Sequence, residues 1–173
     1  SNWNNKQGRT GGTFFISRFM GEMSIEIKDK LERYCAYQER CQDDVRRKLH
    51  GMGIRGDEAE HFIAELVSNR FISEERYARA FARGKFRFNH WGRRKIESAL
   101  LSKKVSLQCI RLGMTEIKES EYRRKLRSLI GKPPLKDAAD AQRRFRQLCA
   151  KGYEPDIIRE CMKDLEISSD NLP

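Results

Sequence analysis

Leu49-His50-Gly51-Met52-Gly53-Ile54, Leu100-Leu101-Ser102-Lys103-Lys104-Val105 and Leu148-Cys149-Ala150-Lys151-Gly152-Tyr153 are the stretches that decide the fold. The second and third lie 51 and 99 residues beyond the first. Extending that register keeps the core positions apolar: Ala59 falls on Ile110 and Ile158, Ile63 on Met114 and Met162, and Leu66 on Ile117 and Leu165. Self-similarity at such a period marks a tandem array of one supersecondary unit. Gly53 and Gly152 coincide just past a helical pattern, where a left-handed closing residue is expected, and Lys104 stands there in the middle copy.

Each copy reads as three short amphipathic helices. They are predicted near 27–39, 42–52 and 57–69, then 73–88, 92–103 and 106–117, then 119–131, 137–151 and 155–166. Ser73 before Glu74 and Glu75 is a good helix start, Pro155 suits a first helical turn, and Pro133-Pro134 interrupts the third copy. Val and Thr number three each while Leu, Arg, Lys, Glu and Ala abound, which excludes a sheet-based fold. The expected class is all-α, with three tandem three-helix modules in an elongated curved array, because a unit of about 45 residues has too little core to stand alone. Module 1 is expected at 25–70, module 2 at 71–118 and module 3 at 119–166. Residues 1–24 fit no copy and read as a disordered tail or expression remnant, although Phe14, Phe15, Ile16 and Phe19 could dock on the body; residues 167–173 read as a C-terminal tail.

The chain of 173 residues is 35% charged with a net charge of +11, and no apolar run approaches a membrane span. Five widely spaced cysteines without a CxxC pair, and three histidines without metal spacing, indicate reduced thiols in a cytoplasmic protein and no metal or cofactor. No GxxxxGK, HExxH or GxSxG motif is present, so the expectation is a binding protein and not an enzyme. The charge is concentrated. Residues 73–104 carry ten basic and three acidic side chains, most of the excess in a central fifth of the chain, which points to an anionic partner.

On a helical wheel of the long central helix, Tyr77, Ala80, Phe81, Gly84 and Phe88 share a face that reads as core, while Arg76, Arg79, Arg83 and Arg87 line another as a cationic ridge. Phe86 points away from the apolar stripe; it either contacts a neighbouring unit or stands exposed to stack on a base or fill a partner's pocket. Trp91-Gly92-Arg93-Arg94-Lys95 opens the next helix with three cations where the backbone N–H groups already carry partial positive charge. The register pairs Arg94 and Lys95 with Asp43 and Asp44 of the first copy, and Asp137 and Asp140 stand near the matching start in the third. Inverting the favourable choice of its siblings suggests an anion bound at that helix end; the alternative is a solvated charge run.

The segment Arg70-Phe71-Ile72-Ser73-Glu74-Glu75-Arg76-Tyr77-Ala78-Arg79-Ala80-Phe81, followed by Phe86-Arg87-Phe88-Asn89-His90-Trp91-Gly92-Arg93-Arg94-Lys95-Ile96, resembles the RecX family of bacterial recombination regulators. The resemblance runs from about Lys28 to Leu165 and includes Cys41-Gln42-Asp43-Asp44-Val45-Arg46-Arg47-Lys48-Leu49 and Lys151-Gly152-Tyr153-Glu154-Pro155-Asp156-Ile157-Ile158. Gly113 departs from it, because the other copies carry Phe62 and Cys161 there. The resemblance implies three tandem three-helix modules and a non-enzymatic role in regulating DNA repair, recombination and the SOS response. Its members bind the RecA recombinase filament on single-stranded DNA and inhibit its ATPase, strand-exchange and coprotease activities, and some bind DNA directly. The candidate contacts are Arg76, Arg79, Arg83, Lys85, Phe86, Arg87, Arg93, Arg94 and Lys95, with the outer modules spanning neighbouring recombinase protomers. A monomer suits insertion into a groove. The rival expectation is a stand-alone basic helical DNA-binding protein.

Overall fold

In the computed structural model, residues 11–132 and 136–169 are described, with side chains for 23–132 and 136–164. Among them are nine α-helices and no strand: α1 (Gly11–Tyr37), α2 (Gln42–Gly51), α3 (Gly56–Ser68), α4 (Glu74–Asn89), α5 (Arg93–Ser102), α6 (Leu107–Met114), α7 (Glu119–Gly131), α8 (Ala138–Ala150) and α9 (Pro155–Ser169). From α2 onward every helix begins within one residue of its predicted start. At the start of α4, Ser73 Oγ accepts the Arg76 N–H, which relieves one of the four orphan donors of a first turn.

The first helix departs from expectation. It runs from Gly11, so residues 11–24 are helical and not a tail. Arg18, Met20, Glu22 and Met23 are good helix formers and no proline intervenes, so extending a packed helix backwards costs little once its nucleus exists. Met23 and Ile25 are exposed, and the first buried side chain is Leu31. Residues 1–10 and 170–173, the remainder of the two expected tails, lie outside the described residues, as do the side chains of Phe14, Phe15, Ile16 and Phe19. Residues 167–169 extend α9.

The three stretches that define the repeat close their helices in the same way. Leu49, Leu100 and Leu148 are buried, and the carbonyl of each accepts the N–H five residues on, from Ile54, Val105 and Tyr153 at 3.0, 3.2 and 3.1 Å. A second bond joins Gly53 N to His50 O, Lys104 N to Leu101 O and Gly152 N to Cys149 O. This double closure requires a left-handed residue at its penultimate position. Gly53 and Gly152 adopt φ 85° and 89°, and Lys104 is forced to 60° despite its side chain.

Helices pack most extensively within their own triplet, and the bundles follow one another in series. The first bundle has its own core of Leu31, Cys35, Val45, Leu49, Ile54, Ala59, Phe62, Ile63, Leu66 and Ile72. The second and third share one, in which Phe86, Ile96 and Leu100 meet Tyr122, Tyr153 and Ile158. Gly113 has a packing reason: a Cβ there would lie 2.8 Å from the Ala78 carbonyl oxygen, so only glycine lets α6 cross α4 this closely.

One ion pair recurs in every bundle, joining its first helix to its third or, in the middle bundle, to the turn that follows it. Lys28 pairs with Glu65, Arg79 with Glu116 at 3.0 Å and Arg127 with Asp164 at 2.8 Å, each spanning 37 residues. Arg79 is thus the middle copy of a structural clamp.

Candidate binding face of the middle bundle

The arginine ridge exists, but neighbouring acids neutralise it. Arg76 binds Glu39 at 2.9 Å and the Arg70 carbonyl; Arg79 binds Glu75 and Glu116; Arg83 binds Glu116 at 3.1 Å; and Arg87 lies 3.9 Å from Glu121. Hydrogen bonding from Arg79, reinforced by the charge of Arg83, holds the Glu116 carboxyl below the usual carboxylate range. The expectation of a free cationic ridge is therefore corrected. Apart from Glu75, one turn before Arg79 on α4 itself, its partners come from loops and helices up to 37 residues away, which a single-helix projection does not show. Arg83 and Arg87 remain about half exposed, and pairs of this kind are weak enough to exchange partners.

The wheel reading of α4 also needs rotating. Its buried stripe is Ala78, Ala82 and Phe86, with Tyr77 beside them. Phe86 is 1% exposed, its ring centroid 5.8 Å from that of Tyr122 in α7. Of the two roles expected for Phe86, contact with a neighbouring unit is the one found; its face is closed to a base or a partner. Phe88, expected in the core, is 84% exposed. The reason is tertiary: α4 is flanked by α6 on one side and by the third bundle on another, so apolar residues occupy more than one of its faces.

The start of α5 is a joint. Gly92 N–H donates to Lys151 O at 2.8 Å, Arg93 N–H to the Tyr122 hydroxyl at 3.2 Å and Arg94 N–H to Gly152 O at 3.1 Å. A Cβ on Gly92 would fall 2.2 Å from the Gly152 carbonyl carbon. The Gly92, Arg93 and Arg94 donors expected to hold an anion are thus occupied by the α8–α9 loop and by Tyr122 of α7, and the reading of this helix end as a backbone anion site is corrected. Arg93 belongs to the same joint: its guanidinium lies 4.2 Å from the Tyr122 ring centroid and binds Glu119 at 2.8 Å and the Ile117 carbonyl. Tyr122 in turn donates to Glu154 at 2.5 Å, and burial pushes its hydroxyl pKa upward.

What remains is Lys85, Arg94 and Lys95, which have no carboxylate within ion-pair reach among the described residues. Arg94 and Lys95 are exposed. Lys85 Nζ lies 5.4 Å from the Phe81 centroid and 5.1 Å from that of Trp91, and Lys95 Nζ lies 4.8 Å from the same Trp91 centroid. The repeat shows what is unusual here. At the preceding joint Lys103 binds Asp44 at 2.7 Å; at the next, the register puts Lys151 and Lys95 in those two places, both cationic. Residues missed by the wheel, namely Phe88, Trp91, Arg40 and Lys151, surround these cations or lie close to them in the fold. The recurrence of a cation and an acid 37 residues apart was the legible signal that Arg79 was already engaged.

Burial pushes Cys35 up to about 11 and raises Cys41 and Cys161, so none of these three is a ready thiolate. Among the described residues no three His, Cys, Asp or Glu side chains converge as a metal site, and no helix is long and apolar enough to cross a membrane.

Tandem three-helix bundles with the cationic excess in the middle one define a helical-repeat protein. The profile of the second three-helix domain of RecX matches residues 73–113. The regulatory protein RecX of Leptothrix cholodnii is 27% identical over 152 residues, covering 85% of this chain and 95% of that protein. Its counterpart from Chromobacterium violaceum is 25% identical over 137 residues, covering 79% and 88%. The crystal structure of RecX from Lactobacillus salivarius superposes with a TM-score of 0.70 at 21% identity, over 82% of this chain and 96% of that one. A crystal structure titled regulatory protein RecX gives 0.73 at 17% identity, over 91% and 81%. The chain is thus similar to RecX proteins over most of its length and shares their fold, with the RecX second three-helix domain recognisable at residues 73–113.

Proposed function

We propose that the chain binds the RecA recombinase filament on single-stranded DNA and inhibits its ATPase, strand-exchange and coprotease activities, acting as a cytoplasmic monomer that regulates DNA repair and recombination. The observation that supports this reading is similarity to RecX proteins along most of the chain, joined to a middle bundle whose Lys85, Arg94 and Lys95 lack acidic partners among the described residues. Bundles in series suit a groove that repeats along a filament, with the outer two reaching neighbouring protomers. Arg83 and Arg87 supply secondary contacts, while Arg76, Arg79, Arg93 and Phe86 hold the surface in place.

The test is to add the purified chain to RecA filaments on single-stranded DNA and follow ATP turnover. Wild type is expected to slow it, and Arg94→Glu/Lys95→Glu to retain the fold and lose the effect. Arg93 is left intact because a glutamate there would face Glu119 and break the joint. Undiminished turnover with wild type overturns the reading and favours a stand-alone DNA-binding protein. That alternative predicts a steep fall of affinity with salt, a slope of about 0.9 per phosphate on duplex DNA, and no effect on the recombinase.

A further inference from the structure

An open cleft of about 460 Å³ lies where the α1–α2 connection and the start of α2 meet α4, on a face of α4 distinct from the arginine ridge. Its α4 wall is Ala80, Phe81, Gly84 and Phe88, the apolar stripe that the wheel had assigned to the core. Arg40, from the α1–α2 connection, and Lys103, from the α5–α6 connection, line the rest.

The charges of the cleft are unevenly matched. Each of its acids already has a cationic partner, Glu39 Oε1 with Arg76 at 2.9 Å and Asp44 with Lys103 at 2.7 Å, while Glu39 Oε2 is buried without a hydrogen-bond partner. The cations left over rest on rings. Arg40 lies 4.1 Å from the Tyr34 centroid, and its buried Nε has no acceptor. Lys85 lies against Phe81 and Trp91, and Lys95 against Trp91. The surface therefore alternates ring and cation: Tyr34 and Arg40 on one side of the cleft, Phe88 within it, then Lys85, Trp91 and Lys95, with Arg94 beside Lys95. Gly84 precedes Phe88 by one helical turn on the same face, and nothing lies within 4 Å of where its Cβ would be. A planar group stacked on Phe88 can thus lie flat over bare helix backbone.

We propose that this cleft binds single-stranded nucleic acid, with a base stacked on Phe88 over Gly84 and the flanking phosphates held by Arg40, Lys85 and Lys95. Alternating π faces and phosphates are what a single strand presents, and a groove of cations with stacking rings is the matching surface. An acidic peptide would use the cations but would leave the exposed rings without planar partners. Duplex DNA is disfavoured, because a helix that reads the major groove inserts its N-terminal end and the α5 end is sealed by Gly152. The inference rests on the proposed function for the source of the strand, and deepens it by naming the surface that meets the strand.

The full chain is titrated against labelled oligo-dT by fluorescence anisotropy from 50 to 200 mM salt. Circular dichroism confirms the fold of each variant. Phe88→Ala is expected to weaken binding about tenfold without changing the salt slope, in line with loss of one stacked base. Lys85→Ala/Lys95→Ala should lower the slope by about 1.4, from about 0.7 per phosphate on single strands. Gly84→Leu, which fills open space without disturbing a neighbour, should weaken binding while leaving the chain folded. Wild-type affinity in all three variants, no binding by wild type, or tighter binding to duplex overturns the proposal. So does a Phe88→Ala chain that binds oligo-dT normally but no longer inhibits the recombinase, since the cleft would then hold protein. Binding through Phe88 by a wild-type chain that leaves RecA turnover untouched supports the cleft and overturns the inhibitor reading alone.

Discussion

Replacing Gly92 by alanine puts a methyl group where the α8–α9 loop already lies. The new Cβ would stand 2.2 Å from the Gly152 carbonyl carbon and 2.3 Å from both the Gly152 oxygen and Tyr153 N. All three are backbone atoms, so no flexible side chain can swing away. Restoring ordinary contact moves the two backbones apart by more than 1 Å, which carries the bonds from Gly92 N to Lys151 O and from Arg94 N to Gly152 O beyond hydrogen-bonding distance. The Arg93 N–H to Tyr122 bond, made at the same joint, is lost with them. Three bonds at about 0.5–1.5 kcal/mol each give a destabilisation of about 2–4 kcal/mol. With an m-value of about 2 kcal/mol/M, the urea midpoint should fall by about 1–2 M. The assay is equilibrium urea denaturation followed by far-ultraviolet circular dichroism. A Gly92→Ala chain with an unchanged midpoint would refute the view that this contact holds the second and third bundles together.

The two helical glycines of the middle bundle, Gly84 and Gly113, should respond in opposite directions. Gly113→Ala meets the Ala78 backbone and should cost about 1–3 kcal/mol; Gly84→Ala meets nothing and should stabilise by about 0.5–1 kcal/mol, both read from the same urea curves. Acid should weaken the fold through Glu116 and Glu119. Hydrogen bonds from Arg79 and Arg93 respectively hold their carboxyls below the unfolded value of about 4.3, so their contribution is present above that pH and disappears as pH falls through the lower folded values. A Glu116→Gln chain should therefore lose less stability than wild type between pH 5 and pH 3, and an identical loss would refute the assignment. In a thiol-reagent time course, the half-buried Cys109 and Cys149 should react ahead of Cys35, Cys41 and Cys161, whose order peptide mapping would reveal.

The one-dimensional features were legible because they are local and recur. Leu49, Leu100 and Leu148 announce the same helix closing three times, and the left-handed position was readable even where Lys104 replaces glycine, because the apolar frame on both sides is kept. Helix starts from α2 onward followed from caps and periodicity. The span of α1 was less legible, since its first half is held by propagation and not by a repeated core position.

The binding face was a different matter, because it depends on which elements meet. A wheel shows that α4 carries apolar residues on two sides, but only the docking of α6 and Tyr122 makes Phe86 core and leaves Phe88 in solvent. Charge counting places the excess in residues 73–104, yet only folding brings Glu39, Glu116 and Glu119 onto the arginines and Gly152 onto the end of α5. The sequence alone determined a helical repeat with a basic centre, since periodicity and composition act through neighbours a few residues apart. Which of those cations stay free was decided by tertiary structure, since neutralising a charge requires an acid within about 4 Å, and apart from Glu75, one turn before Arg79, the hydrogen-bonded acids lie 26 to 37 residues away along the chain.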